Sequence, residues 1–251
     1  MLADFALRLA FGLAAMLAGT SWRAVPPAFF RTQCLVILGL LVLAALDASR
    51  ASAVLVPAAL PILAGVGAYL AAVAWGLGLV RIAVPATAGV GLLTAAGLIL
   101  ASQSDRLDLW AFNSLARLAS GFLLGATLSA MLLGHHYLTA PTMTIQPLKA
   151  SVRCIGVALL LRAMLAFLGL AIGSLAIASQ TGPFAPGSPL FLTMRWGMGL
   201  LAPAAALVLT WRTVQLRSTQ SATGILYATM TLVLFGELAS LIGSQGPSPI
   251  L

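Results

Sequence analysis

Charge is what this chain has least of. Asp, Glu, Lys and Arg make up 7% of its 251 residues, against about 25% in an ordinary soluble protein. Hydrophobic residues make up 61% and the mean hydropathy is +1.07. A soluble chain of this length could not cover so much apolar surface, so a water-soluble globular fold is excluded. Cysteine is also scarce. Cys34 and Cys154 are the two present, and no Cys-x-x-Cys occurs, so neither a zinc site nor a thioredoxin-like site is supported. No Ser–His–Asp set, glycine-rich phosphate loop or pair of catalytic carboxylates appears. Hydrolysis and phosphoryl transfer are therefore not expected, and the cofactor, if the protein takes one, is unknown from sequence. Strands of alternating polarity are missing too, which excludes a transmembrane barrel.

Long apolar runs are what the chain has instead. A helical crossing of the bilayer needs about 20 apolar residues, and only a helix satisfies its own backbone hydrogen bonds in hydrocarbon. Eight such runs are predicted, over residues 3–20, 29–46, 53–75, 82–101, 110–134, 151–179, 190–211 and 223–243. The expected fold is an all-α integral membrane protein, a single bundle of eight transmembrane helices arranged as four helical hairpins. Residues 1–20 read as a retained first helix and not a signal peptide, since they lack a basic start and carry Asp4 and Arg8 within the apolar run.

The net charge of +8 does not point to nucleic acid, because the basic residues stand singly at helix ends, with no basic arm or aromatic–basic patch. It sets topology. Alternate loops hold Arg23, Arg31, Arg81, Lys149, Arg153, Arg212 and Arg217 without an acid, while the opposite loops hold Arg50 and Arg106 with Asp47, Asp105 and Asp108. The positive-inside rule places the first set in the cytoplasm and both termini outside.

Arginine and glycine recur in register. Arg8-Leu-Ala-Phe-Gly12, Arg117-Leu-Ala-Ser-Gly121 and Arg195-Trp-Gly-Met-Gly199 each put an arginine and a glycine on one helix face. Tryptophan followed by arginine recurs after the helices, as in Ser21-Trp-Arg-Ala-Val25 and Thr210-Trp-Arg-Thr-Val214. Duplicated hairpins of one orientation would account for both patterns. At about 1.5 Å per residue, Arg8, Arg117 and Arg195 are expected at a common depth below the outer boundary. Glu237 approaches that depth from the opposite direction, and Arg162 is expected deeper. Charge inside hydrocarbon is costly and marks a site or an ion pair. Guanidinium forks match carboxylate and phosphate. Arg8, Arg117, Arg195, Arg162 and Glu237 are thus the candidate ligand-binding residues, for an anionic amphiphile or a lipid headgroup.

The two histidines, His135 and His136, are adjacent and followed by Tyr137. Neighbouring helical residues diverge by about 100°, so the histidines cannot grip one haem from opposite faces, and ligands for zinc or copper are sparse. A quinone contact or proton relay through His135, His136 and Tyr137 is the alternative site, in a membrane subunit of a larger electron-transfer complex that docks other subunits. A structural scaffold is the third reading. The stretch 134–148, with Pro141 and Pro147, is expected as a long loop or a short re-entrant segment. Pro57, Pro61, Pro85 and Pro203 are candidate bends.

Three stretches, Pro27-Ala-Phe-Phe-Arg-Thr-Gln33, Gly134-His-His-Tyr-Leu138 and Arg217-Ser-Thr-Gln-Ser-Ala-Thr-Gly-Ile-Leu-Tyr227, resemble segments of an uncharacterised bacterial family of polytopic membrane proteins. The resemblance covers most of the chain. It implies a bacterial inner-membrane setting and brings no catalytic residue.

Overall fold

A computed structural model describes residues 1–51, 56–102, 107–140, 143–173 and 188–243. Asp105, Arg106, Pro141, Thr142 and the loop 181–187 lie outside the described residues, as does the side chain of Pro57. Every regular element among the described residues is helical. We number the helices α1 (Leu2–Gly19), α2 (Pro27–Ala51), α3 (Val56–Gly76), α4 (Val80–Leu100), α5 (Leu107–Thr139), α6 (Gln146–Gly173), α7 (Pro189–Gln215) and α8 (Thr219–Gly243). All eight are long and apolar enough to cross a membrane. The protein is a multi-pass membrane protein.

The outside of the bundle is greasy where a soluble protein would be polar. On α6, Val157, Leu160, Met164 and Phe167 are each at least 60% exposed and recur at helical spacing, so they form one outward stripe. The same helix turns Ile155, Leu159 and Arg162 inward. An apolar stripe facing out with an arginine facing in is stable only if the surroundings are hydrocarbon.

The four hairpins assemble into two rings. Helix α1 packs on α2, α2 on α3, α3 on α4, and α4 back on α1. Likewise α5 packs on α6, α6 on α7, α7 on α8, and α8 back on α5. The rings meet mainly where α1 crosses α5, with a smaller contact from α4. That seam depends on missing side chains. A Cβ on Gly12 would overlap the carbonyl of Gly121, and one on Gly125 would overlap the backbone of Gly12. A Cβ on Gly121 would stand 2.6 Å from the carbonyl oxygen of Arg8. Small residues let membrane helices approach closely enough for dispersion to hold them.

The α3–α4 and α7–α8 turns share one hydrogen-bond pattern. The amides of Leu77, Gly78, Leu79 and Val80 donate to the carbonyls of Val73, Trp75, Ala74 and Gly78. Those of Leu216, Arg217, Ser218 and Thr219 donate to Arg212, Val214, Thr213 and Arg217 in the same order. Gly78 (φ 72°) and Arg217 (φ 57°) take the left-handed conformation at equivalent places. Each ring thus closes its second hairpin with the same helix stop.

Two spans differ from expectation. Helix α5 continues through Thr139, and α6 begins at Gln146, so both ends of the stretch 134–148 are helical. Helix α7 is π-helical over Thr193–Leu201. Pro203 explains its position. Proline has no N–H to offer the carbonyl four residues back, and just before it the amide of Ala202 reaches the fifth carbonyl back, that of Gly197. The wider turn carries Arg195 and Trp196. Pro61 and Pro85 lie within α3 and α4.

Candidate functional site

The arginines anticipated from sequence converge on one buried network. Its centre is Glu237 on α8, 1% exposed. Arg162 from α6 grips it through two parallel bonds, Nε to Oε1 at 2.8 Å and Nη2 to Oε2 at 3.0 Å. The same Nη2 donates to Ser240 Oγ at 3.0 Å. Arg195 from α7 makes a looser approach, Nη1 to Oε1 at 3.4 Å. Ser120 from α5 donates its hydroxyl to Oε2 at 2.5 Å. Charge-assisted and bidentate bonds of this kind are the strong ones.

Ser120 also joins this centre to α1. Its oxygen accepts from Arg8 Nη1 at 3.2 Å, and Arg8 Nη2 lies 2.7 Å from Asp4 Oδ2, one helical turn earlier. Asp4 in turn binds Arg117 Nη1 through Oδ1 at 3.1 Å. The network therefore runs Arg117–Asp4–Arg8–Ser120–Glu237, where Arg162 and Arg195 close it. Asp4 and Arg117 are partly exposed, while Arg8, Arg162, Arg195 and Glu237 are buried. A further bond from α2 steadies the entry, since Asp47 Oδ2 accepts the amide of Ala3, a first-turn donor with no helical partner.

Among the described residues, four guanidiniums pair with the two carboxylates of this network, two more cations than anions. Arg8 Nε is buried with no hydrogen-bond partner among the described residues. Beside Arg162 and Arg195 lies a small cavity, also lined by Phe112, Ala166, Phe191 and Trp196.

The backbone holds these groups at close range through the glycines four residues after the arginines. Gly12 and Gly121 form the α1–α5 crossing, with Gly125. Gly199 meets Gly236, where a Cβ on Gly199 would stand 2.8 Å from the partner's Cα. Each Arg-x-x-x-Gly thus pairs a charge with the close helix contact that delivers it.

Sequence reasoning missed Asp4, Ser120 and Ser240 as partners. Asp4 carried a signal, because acid and arginine four apart meet on a helix. Ser120 precedes the motif glycine by one residue and carried none. Arg162 was expected deeper than the layer, yet its side chain reaches Glu237.

The second candidate set, His135, His136 and Tyr137, lies apart from this network. His135 is exposed. His136 packs against Phe29, with ring centroids 5.9 Å apart, and its Nε2 is buried without a hydrogen-bond partner among the described residues. Tyr137 is turned away and donates its hydroxyl to the carbonyl of Thr144 at 2.5 Å. These residues lie roughly 27 Å along α5 from Arg117, at about 1.5 Å per residue. Among the described residues no three His, Cys, Asp or Glu side chains cluster as metal ligands would.

Compared with known proteins, the chain matches no family, no curated protein and no solved structure. No family is identified for the chain.

Proposed function

We propose that the protein binds an anionic species in the membrane through the arginine layer of Arg8, Arg117, Arg162 and Arg195, and translocates it. The observation that carries this reading is the charge imbalance. A purely structural ion pair needs one cation for each anion, because an uncompensated buried charge is costly. Here, among the described residues, three buried guanidiniums, those of Arg8, Arg162 and Arg195, face one buried carboxylate, Glu237, while Asp4 and Arg117 pair at the partly exposed edge. Glu237 and Asp4 orient the arginines, and the surplus supplies the attraction. Two rings joined across a glycine seam offer a place for relative movement during transport, since α1 brings Asp4 and Arg8 from one ring into the charges of the other.

Asp4→Asn tests this. It raises the surplus by one charge while keeping the side-chain shape. Binding of chloride and of laurate to the purified protein is measured by calorimetry in a mild detergent. Tighter anion binding in Asp4→Asn, and weaker binding in Arg117→Ala, are the expected results. Changes in thermal stability alone, with anion binding equal in all three proteins, would reduce the network to a structural clasp.

A further inference from the structure

We propose that the space between Arg162 and Arg195 is a binding site for one halide-sized inorganic anion. This deepens the reading above and rests on it: the network attracts anions, and this cavity selects among them.

The two arginines differ in how far they are satisfied. Arg162 is held by both oxygens of Glu237 and by Ser240 Oγ. Arg195 is as deeply buried, 3% exposed, yet among the described residues its one side-chain hydrogen bond is the 3.4 Å contact to a carboxylate already shared with Arg162 and Ser120. A guanidinium has five N–H donors and no acceptor. In an apolar surround such a group calls for a counter-ion beyond the shared carboxylate.

The cavity beside it has the size and walls to supply one. Its volume is about 20 Å³, above the roughly 10–15 Å³ that a cavity needs to hold one water. Space of this size favours a single small ion over a phosphate headgroup or an alkyl carboxylate. Apart from the two arginines, the lining residues are aromatic, aliphatic or glycine, including Phe112, Ala166, Phe191 and Trp196. Such walls give no competing hydrogen bonds, and they lower the local dielectric, which strengthens the attraction between guanidinium and anion. The π-helical turn Thr193–Leu201 carries both Arg195 and Trp196 to the cavity.

The test is thermal unfolding of the purified full chain in sodium chloride, bromide, laurate or gluconate at one ionic strength, so that screening is constant. Chloride and bromide should raise Tm saturably, by about 2–4 °C, and gluconate should not. Two variants localise the effect. Arg195→Gln removes the cation, and Ala166→Val fills the cavity while leaving every ion pair in place. Both should abolish the halide-dependent rise. Because Trp196 lines the cavity, saturable fluorescence quenching by iodide, lost in Ala166→Val, provides a second readout in protein that remains folded. Equal shifts in halide and gluconate, or a halide shift that survives Ala166→Val, would overturn the site. A laurate shift lost in Arg117→Ala, without any halide shift, would overturn the small-anion site and leave the broader anion reading standing. No shift with any anion would overturn both.

Discussion

Arg162 and Glu237, 75 residues apart in sequence, meet through two parallel hydrogen bonds in the middle of an apolar bundle. Glu237 is also the one acid that Arg195 and Ser120 share. Removing its charge strands two buried cations, so Glu237→Gln should destabilise the protein by about 3–5 kcal/mol. Substituting both partners of the bidentate pair with methionine removes the stranded Arg162 as well. The double variant should lose less than the sum of Arg162→Met and Glu237→Met. Denaturation in detergent checks this, and additive losses would mean the pair is not coupled.

A second expectation concerns the glycines, which are not equivalent. Gly125 faces the backbone of Gly12, and neither side has a flexible end that can yield. Gly125→Ala should force α1 from α5 and cost about 1–3 kcal/mol, as overpacking does. Gly39 is on an exposed face of α2 with no atom within 4 Å of a built Cβ. Gly39→Ala should instead stabilise by roughly 0.5–1 kcal/mol, through the lower entropy of the unfolded chain. Paired unfolding curves measure both. A loss at Gly39 as large as that at Gly125 would show that the seam is not where packing is critical.

Much of the fold was legible in sequence because hydrocarbon imposes one rule on every span. Eight apolar runs gave eight helices, and the inward charges were conspicuous against them. What was not legible depended on tertiary geometry. The grouping into two rings rests on which hairpins touch, and short apolar repeats do not encode that. The shared α3–α4 and α7–α8 stop was obscured because glycine fills its left-handed position in one copy and arginine in the other. At the site, Arg-x-x-x-Gly exposed three of the four arginines, since period and depth follow from the helix. Ser120 could not be found that way, because a serine in a helix bears no mark of the carboxylate it will meet.

Arg217 gives a third test through that same stop. At φ 57° a side chain bears a cost of about 1–2 kcal/mol that glycine does not. Its counterpart Gly78 occupies the position without strain. Arg217→Gly should therefore raise stability by about 1 kcal/mol, while Gly78→Ala should lower it by a similar amount. Opposite signs at the two equivalent turns are the expected result in thermal unfolding. A loss in both would mean that the Arg217 side chain stabilises the turn by more than its backbone costs.

The two cysteines allow the orientation to be tested without introducing a label. Cys34 is 1% exposed, against Thr87, whose hydroxyl also accepts from Trp75. Cys154 is partly exposed and lines a cavity of about 490 Å³, together with Gly19, Ser21, Gln146 and Arg153. That cavity lies at the end of the bundle where α1 finishes and α6 begins, the end bearing Arg23, Lys149 and Arg153. The positive-inside rule assigns this end to the cytoplasm. A membrane-impermeant maleimide should label one thiol in inverted vesicles and none in right-side-out cells. Cys154→Ser should abolish that label and Cys34→Ser should retain it. Labelling of Cys154 from outside the cell would reverse the topology, and with it the assignment of the arginine layer to the outer half of the membrane.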